Sequence, residues 1–147
     1  MREKKVFVVD GLGKGREVKS LPQKHQEFDE RFLQELLVSS PQLLPVSSLR
    51  PDVGELICIG REVPTRNSGT MDNLYLSTGG YIVLVETKLW RNPEARRAVV
   101  SQVLDYVKDL ATRDFEWLNT VWKRFVSDRG LKKCSLLDSV LEEAARH

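Results

Sequence analysis

Short apolar runs alternate along the chain with longer stretches in which apolar residues return every three or four positions. The runs predict five β-strands, at residues 5–10, near Val18, and at residues 56–63, 71–76 and 81–89. Glycines separate two pairs of these runs, at Gly11–Gly15 and at Gly79-Gly80, as is typical of hairpin turns. The sequence therefore predicts an N-terminal hairpin and a separate group of three strands.

Four stretches place their apolar residues at helical spacing. They are residues 26–39, residues 92–111, the stretch from Phe115 to about Phe125, and a last stretch that begins near Ser135. Pro41 and Pro45 end the first helix, and Asn92-Pro93 is a favourable start for the second. Ser135-Leu-Leu-Asp138 has the form of a capping box at the start of the last helix. This order of hairpin, helix, three strands and further helices predicts an α+β fold.

The strand predicted at residues 81–89 is apolar on both of its faces. Such a strand lies in the middle of a sheet, because both faces are covered and both edges need hydrogen-bonding neighbours. After Ala111 the sequence keeps helical periodicity and offers no clear strand that could supply the second neighbour. We therefore expect the chain to be a fragment of a longer protein that continues past His147. In the fragment, a helix or a second copy of the chain, forming a homodimer, would cover the open edge.

The composition is that of one folded domain, with 147 residues of which 41% are hydrophobic and 30% are charged. No apolar run approaches the roughly 18 residues that a membrane span needs, so we expect no membrane partner. The net charge of +2 excludes a strongly basic nucleic-acid-binding tail but allows a local basic groove. Cys58 and Cys134 are typical of reduced thiols, and no signal-like segment opens the sequence, which predicts a cytoplasmic protein.

Charged residues interrupt the apolar pattern on the last two predicted strands, with Asp72 on one and Glu86 and Lys88 on the other. If the hairpin turns on three residues centred on Gly79, Asp72 lies directly opposite Glu86, with Cβ atoms about 5 Å apart. Lys88 shares the face of Glu86 because side chains alternate along a strand. The sequence thus predicts that two carboxylates and a lysine meet at one edge of the sheet.

Two interpretations of this cluster are open. A pattern of this kind is most often a group of solvated charges at a strand end. Alternatively, a divalent cation would relieve the repulsion between two adjacent carboxylates, and all-oxygen ligation suits Mg²⁺ or Mn²⁺. A lysine beside them could then orient or deprotonate an attacking water, or stabilise the negative charge of a transition state.

Three segments together resemble a known family. Asp72, the Glu86-Thr87-Lys88 segment after an apolar strand, and Gln102-Val-Leu-Asp-Tyr106 on the next helix resemble the PD-(D/E)xK nuclease superfamily, in its branch with a Q-x-x-x-Y motif. Upstream, Glu30-Arg-Phe-Leu-Gln-Glu-Leu-Leu37 and Pro41-Gln-Leu-Leu-Pro45 are similar to segments that open many nuclease-like domains, including relatives of the NucS endonucleases.

The resemblance covers about residues 27–111, with the departure that Met71 precedes the aspartate where the superfamily often has proline. It implies a restriction-endonuclease-like core of a helix, three antiparallel strands and a helix, over about residues 26–113. Residues 114–147 would form a helical extension of the same single domain.

The resemblance also implies which residues form a site. Five would be catalytic: Asp72, Glu86, Lys88, Gln102 and Tyr106. Mg²⁺, or Mn²⁺ as its substitute, would be bound by Asp72, Glu86, the Thr87 carbonyl and, as an outer ligand, Glu30. Glu35 competes with Glu30 for this last role. Gln102 and Tyr106 lie one helical turn apart, so they can approach the site together, although a partly buried helix surface has the same spacing.

Five further residues are candidates for binding nucleic acid: Arg61, Arg66, Trp90, Arg91 and Arg97. Arginines at the mouth of a site hold phosphates, and a tryptophan beside it can stack on a base, although scattered arginines are usually only solvated. The predicted function is Mg²⁺-dependent hydrolysis of phosphodiester bonds in DNA. The alternative is a catalytically silent nuclease-fold domain that binds nucleic acid or a protein partner.

Overall fold

The computed structural model describes residues 6–9, 11, 14–18, 29–88, 93–132 and 134–146. The strands are β1 (Val6–Val9), β2 (Gly15–Val18), β3 (Leu56–Pro64), β4 (Thr70–Ser77) and β5 (Ile82–Val85). The helices are α1 (Glu30–Ser39), α2 (Val46–Leu49), α3 (Pro93–Leu110), α4 (Phe115–Asp128) and α5 (Leu136–Ala144), with 3₁₀ turns at Pro41–Leu43 and Pro51–Val53. This order confirms the predicted α+β class.

The strands form two antiparallel sheets, the β1-β2 hairpin and a three-stranded sheet in the order β3-β4-β5. In the second hairpin Asn73 pairs with Val85 and Leu76 pairs with Ile82. One further step along the same register places Asp72 opposite Glu86. The predicted hairpin register, centred on Gly79, is therefore confirmed.

The predicted length of β5 is wrong for the part of the chain that the structure describes. β5 ends at Val85, so Glu86 and Lys88 follow the strand instead of lying on it. It pairs with β4 only, and β4 is the middle strand, buried along most of its length. The second edge of β5 is thus unpaired among the described residues, as expected for a fragment, while β4 keeps its polar residues Asp72 and Asn73 buried. A further strand beyond His147 stays a prediction.

Helix α1 begins at Glu30, four residues later than predicted, because the Asp29 side chain caps it by accepting a hydrogen bond from the Phe32 amide at 2.8 Å. It packs on the sheet through two hydrogen bonds to its backbone, one buried and one partly buried. Asn73 Nδ2 donates to the Gln34 carbonyl at 3.1 Å, and the Tyr75 hydroxyl donates to the Leu37 carbonyl at 3.0 Å. These bonds fix the helix, and with it Glu30, relative to β4.

Helices α4 and α5, which were expected as an extension, contribute to the core. Leu118, Trp122, Phe125, Val126 and Leu136 belong to one buried cluster with strands β3 and β4. Helix α4 crosses β3 at Gly60, where a Cβ atom would lie only 2.7 Å from Val121. The capping box predicted for α5 is confirmed, since Ser135 Oγ accepts from the Asp138 amide at 3.1 Å. Among the described residues no helix is both long and apolar enough to cross a membrane.

An ion pair joins the end of α4 to α1. Arg129 Nη2 lies 2.6 Å from both carboxylate oxygens of Glu35, and Arg61 Nη1 lies 3.8 Å from the same group. The hydrogen bond from Arg129 holds the pKa of Glu35 below its ordinary value. Since the pKa is lowered in the folded state, this pair adds stability at neutral pH and loses it as the pH falls through that pKa.

Glu35→Gln should therefore lower the free energy of unfolding at pH 7, by no more than about 1 kcal/mol because the pair is half exposed. The difference from the wild type should shrink as the pH is lowered towards 3.5. Thermal denaturation at both pH values checks this, with Glu55→Gln, an exposed carboxylate in the loop before β3, as the control. A difference that grows on acidification would contradict the assignment.

Candidate active site

The site lies where the β4-β5 hairpin ends. Asp72 is only 9% exposed, and its Oδ2 accepts hydrogen bonds from both the amide and the hydroxyl of Thr87, each at 2.7 Å. Thr87 thereby holds the aspartate against the segment that follows β5. The sequence had assigned Thr87 a role only through its carbonyl. The hydroxyl contact was missed, although a hydroxyl residue between two candidate charges, two positions past the end of β5, was its signal.

Glu86 is the most deeply buried acidic group of the site, with 2% of its side chain exposed. Its Oε1 lies 2.9 Å from Lys88 Nζ, but neither carboxylate oxygen takes part in a well-directed hydrogen bond among the described residues. Burial raises the pKa of Glu86, and the charge of Asp72 adds to this, while the pairing with Lys88 opposes it. Keeping Glu86 ionised next to Asp72 therefore costs solvation free energy.

Lys88 lies between two acidic side chains, 2.9 Å from Glu86 Oε1 and 3.7 Å from Glu30 Oε2. Burial alone would lower the pKa of Lys88, but Glu86, Glu30 and Asp72 together raise it above its ordinary value. The amine is thus a cation at neutral pH. This favours stabilisation of negative charge over proton abstraction, the two roles that the sequence left open for this lysine.

The position of Glu30 answers a second open question. Glu30 lies in the first turn of α1 and reaches Lys88, whereas Glu35 is held by Arg129 and Arg61. Of the two acidic residues on this helix, Glu30 is therefore the one that belongs to the site. Its described contact is with the lysine, so a direct role in metal binding stays a prediction.

The donor set fits a hard divalent cation. Two adjacent carboxylates, with the oxygens of Glu86 lacking well-directed hydrogen bonds, offer the oxygen ligands that Mg²⁺ and Mn²⁺ prefer. Within the described ranges no group of three or more His, Cys, Asp or Glu side chains could hold a metal ion. This does not conflict with magnesium, because Mg²⁺ keeps several waters and is usually bound through one or two carboxylates.

Gln102 and Tyr106 contact the backbone of β4. Tyr106 is fully buried, and its hydroxyl donates to the Thr70 carbonyl at 2.8 Å and accepts from Gln102 Nε2. Thr70 is the first residue of β4 and lies two positions before Asp72. The hydrogen bonds of these two side chains therefore fix the strand that carries Asp72, which is a positioning role.

The structure describes three of the five predicted nucleic-acid-binding residues, and they lie on different elements. Arg61 lines a separate cavity of about 550 Å³ between β3 and α4, and its Nε donates to Gln34 Oε1. Arg66 borders a shallow depression together with Lys108, which the sequence reasoning had missed. Arg97 is exposed on α3. Trp90 and Arg91 lie outside the described residues.

The contacts of Asp72 predict how its replacement changes stability when metal is chelated with EDTA. Asp72→Asn keeps an acceptor for Thr87 and removes the repulsion with Glu86, so it should be neutral or slightly stabilising. Asp72→Ala should lower the free energy of unfolding by about 1–3 kcal/mol, because it leaves the buried Thr87 amide without an acceptor. Thermal denaturation of both variants gives the comparison. A clear loss of stability in Asp72→Asn would show that the charge itself is structural.

Comparisons with known proteins do not show a family for this chain. No protein-family model matches it, and no curated protein or solved structure matches it either.

Proposed function

We propose that this chain hydrolyses phosphodiester bonds in DNA with Mg²⁺, through a D…E-x-K site on a restriction-endonuclease-like core of the PD-(D/E)xK type. One observation carries the proposal: Asp72, Glu86 and Lys88 meet at the end of one hairpin, and the Glu86 carboxylate is buried without a well-directed hydrogen bond. The three-stranded antiparallel sheet with helices before and after it is compatible with such a core.

Burial argues against the alternative of a solvated charge cluster. Solvated charges at a strand end are exposed, but Asp72 and Glu86 are both nearly inaccessible. Burying an ionised carboxylate that lacks directed hydrogen bonds is unfavourable, and native structures leave few such groups. Titratable groups with a perturbed pKa concentrate at functional sites. The arrangement is therefore better explained by a ligand that the carboxylates bind than by fold stability.

Asp72 and Glu86 would hold the cation, with the Thr87 carbonyl and Glu30 as further ligands. When bound, Mg²⁺ supplies positive charge where negative charge develops on the phosphate. Thr87 fixes the orientation of Asp72 through its amide and hydroxyl. Lys88, kept protonated, donates to a non-bridging phosphate oxygen, and Glu30 restrains its amine from the other side.

Cations near the site would bind the flanking phosphates. Arg66 borders a depression beside the loop that leads into Thr70 and hence to Asp72. Lys108 borders it too, together with Asp105 and Asp109, and Lys108 pairs with Asp105, so Arg66 is the stronger candidate for a phosphate contact. Arg97 is exposed further along α3. Such contacts position a nucleic acid without reading its sequence.

One feature favours the competing function, a nuclease-fold domain without activity that binds nucleic acid or a protein. Lys88 already pairs with both Glu86 and Glu30, so the network is neutralised in part without any cation. A protein that retained this network for stability alone would not need to bind metal.

Metal titration separates the two functions. Isothermal titration with Mn²⁺ should show binding in the micromolar to millimolar range that Asp72→Asn abolishes, whereas Asp128→Asn, an exposed aspartate on α4, should bind like the wild type. The same proteins should then be assayed on single-stranded, flapped and duplex DNA. No Mn²⁺ binding and no cleavage of any substrate would refute the proposed activity.

A further inference from the structure

Helix α3 is apolar on its outward face as well as on the face that carries the buried Tyr106. Val100, Leu104 and Val107 are 50–60% exposed and follow one another at intervals of four and three residues. They form a stripe about 10 Å long, defined here as the α3 stripe. Three exposed apolar side chains in a row are a candidate interaction surface, and the case for a partner rests on the matching stripe and the charges described next.

Helix α5 carries a second stripe with the same spacing. Leu137 and Leu141 are 54% and 57% exposed, and Ala144 is exposed one turn further on. This α5 stripe also has intervals of four and three residues, so the two stripes have equal length. Stripes with this heptad-like spacing pack against each other along helices.

Charge distinguishes the two stripes. Arg97 and Lys108 lie beside the α3 stripe, and Lys108 is largely solvated although it pairs with Asp105. Asp138 and Glu142 lie beside the α5 stripe. Pairing two copies of the same stripe would bring like charges together, whereas pairing an α3 stripe with an α5 stripe brings opposite charges together.

We propose that a second copy of this chain docks here, with the α3 stripe of one copy against the α5 stripe of the other. At a helical rotation of 100° per residue, the charged residues lie on the same side of both stripes. An antiparallel arrangement therefore places the two charged rows along one edge of the contact, with Lys108 close to Asp138 of the second copy. If both copies use both stripes, the contact is made twice around a twofold axis, the commonest symmetry of homo-oligomers.

Analytical ultracentrifugation from 1 to 200 µM tests the proposal on the full chain. We expect reversible dimers that Leu104→Asp and Leu141→Asp each convert to monomers, while Leu49→Asp, at an 84% exposed leucine on α2, leaves association unchanged. Because the substituted side chains are exposed, circular dichroism should show an unchanged fold. Leu104→Gln and Leu141→Gln are less disruptive substitutions at the same two positions.

Mixing the two monomeric variants gives the sharpest result. Each retains the stripe that the other has lost, so an equimolar mixture should form a heterodimer through one intact contact. A wild-type chain that stays monomeric throughout overturns the proposal. So does a dimer that only one of the two aspartate variants disrupts, because that result means that one stripe pairs with itself.

Discussion

Replacing Glu86 with Gln or Lys88 with Ala is expected to reduce phosphodiester hydrolysis by about 10²–10³-fold while the fold stays intact. Glu86→Gln removes a carboxylate charge from the proposed cation site, and Lys88→Ala removes the cation nearest to it. Losing one preorganised group that stabilises transition-state charge costs about 10²–10³ in rate, and losing a metal ligand costs at least as much. Initial rates on the best DNA substrate, with Mg²⁺ and with Mn²⁺, give the comparison.

Matched controls separate lost chemistry from lost structure. Lys123→Ala and Glu116→Gln change exposed residues of the same types on α4 and should cleave at the wild-type rate. Circular dichroism and thermal denaturation show whether Glu86→Gln and Lys88→Ala are folded. Unchanged turnover in either variant would remove that residue from the catalytic assignment.

The elements were predictable from sequence because they depend on local patterns. Apolar periodicity placed the described strands and the helices other than the short α2, and the capping box placed the start of α5. The order within the sheet depends on packing partners, which are not local. Asp72 and Asn73 are buried in the middle strand through contacts with Thr87 and Gln34, residues 15 and 39 positions away. A pattern read along β4 alone cannot contain that information.

The candidate site was likewise predictable only where it depends on local sequence. Register arithmetic about Gly79 brought Asp72 and Glu86 together, because a hairpin fixes its own pairing. The choice between Glu30 and Glu35 could not be made, because it depends on where Arg129 lies, 94 positions beyond Glu35. The contacts of Arg61 could not be predicted for a similar reason, since its partners Gln34 and Glu35 lie on α1, 27 and 26 positions before it, and its role in binding nucleic acid stays a prediction.

The β4-β5 turn fixes the register that opposes Asp72 to Glu86, and it is held against the segment before β3. The Gly79 amide donates to the Val53 carbonyl at 3.0 Å, and the Thr78 amide donates to the Glu55 carbonyl at 2.9 Å. A Cβ atom at Gly79 would lie 2.5 Å from the Asp52 carbonyl oxygen and 2.7 Å from that of Val53. These are backbone atoms, which cannot turn away as a flexible side chain can.

Gly79→Ala is therefore expected to lower the free energy of unfolding by about 2–3 kcal/mol, at the upper end of the usual range for overpacking. For a chain of 147 residues this corresponds to a fall in Tm of roughly 6–10 °C. Gly11→Ala is the matched control, because no atom of the described residues lies within 4 Å of a Cβ there, and its Tm should stay within about 2 °C of the wild type. Differential scanning calorimetry measures both variants. An unchanged Tm in Gly79→Ala would mean that the turn can move away from Asp52 and Val53. Contacts other than those of the turn would then have to hold Asp72 opposite Glu86.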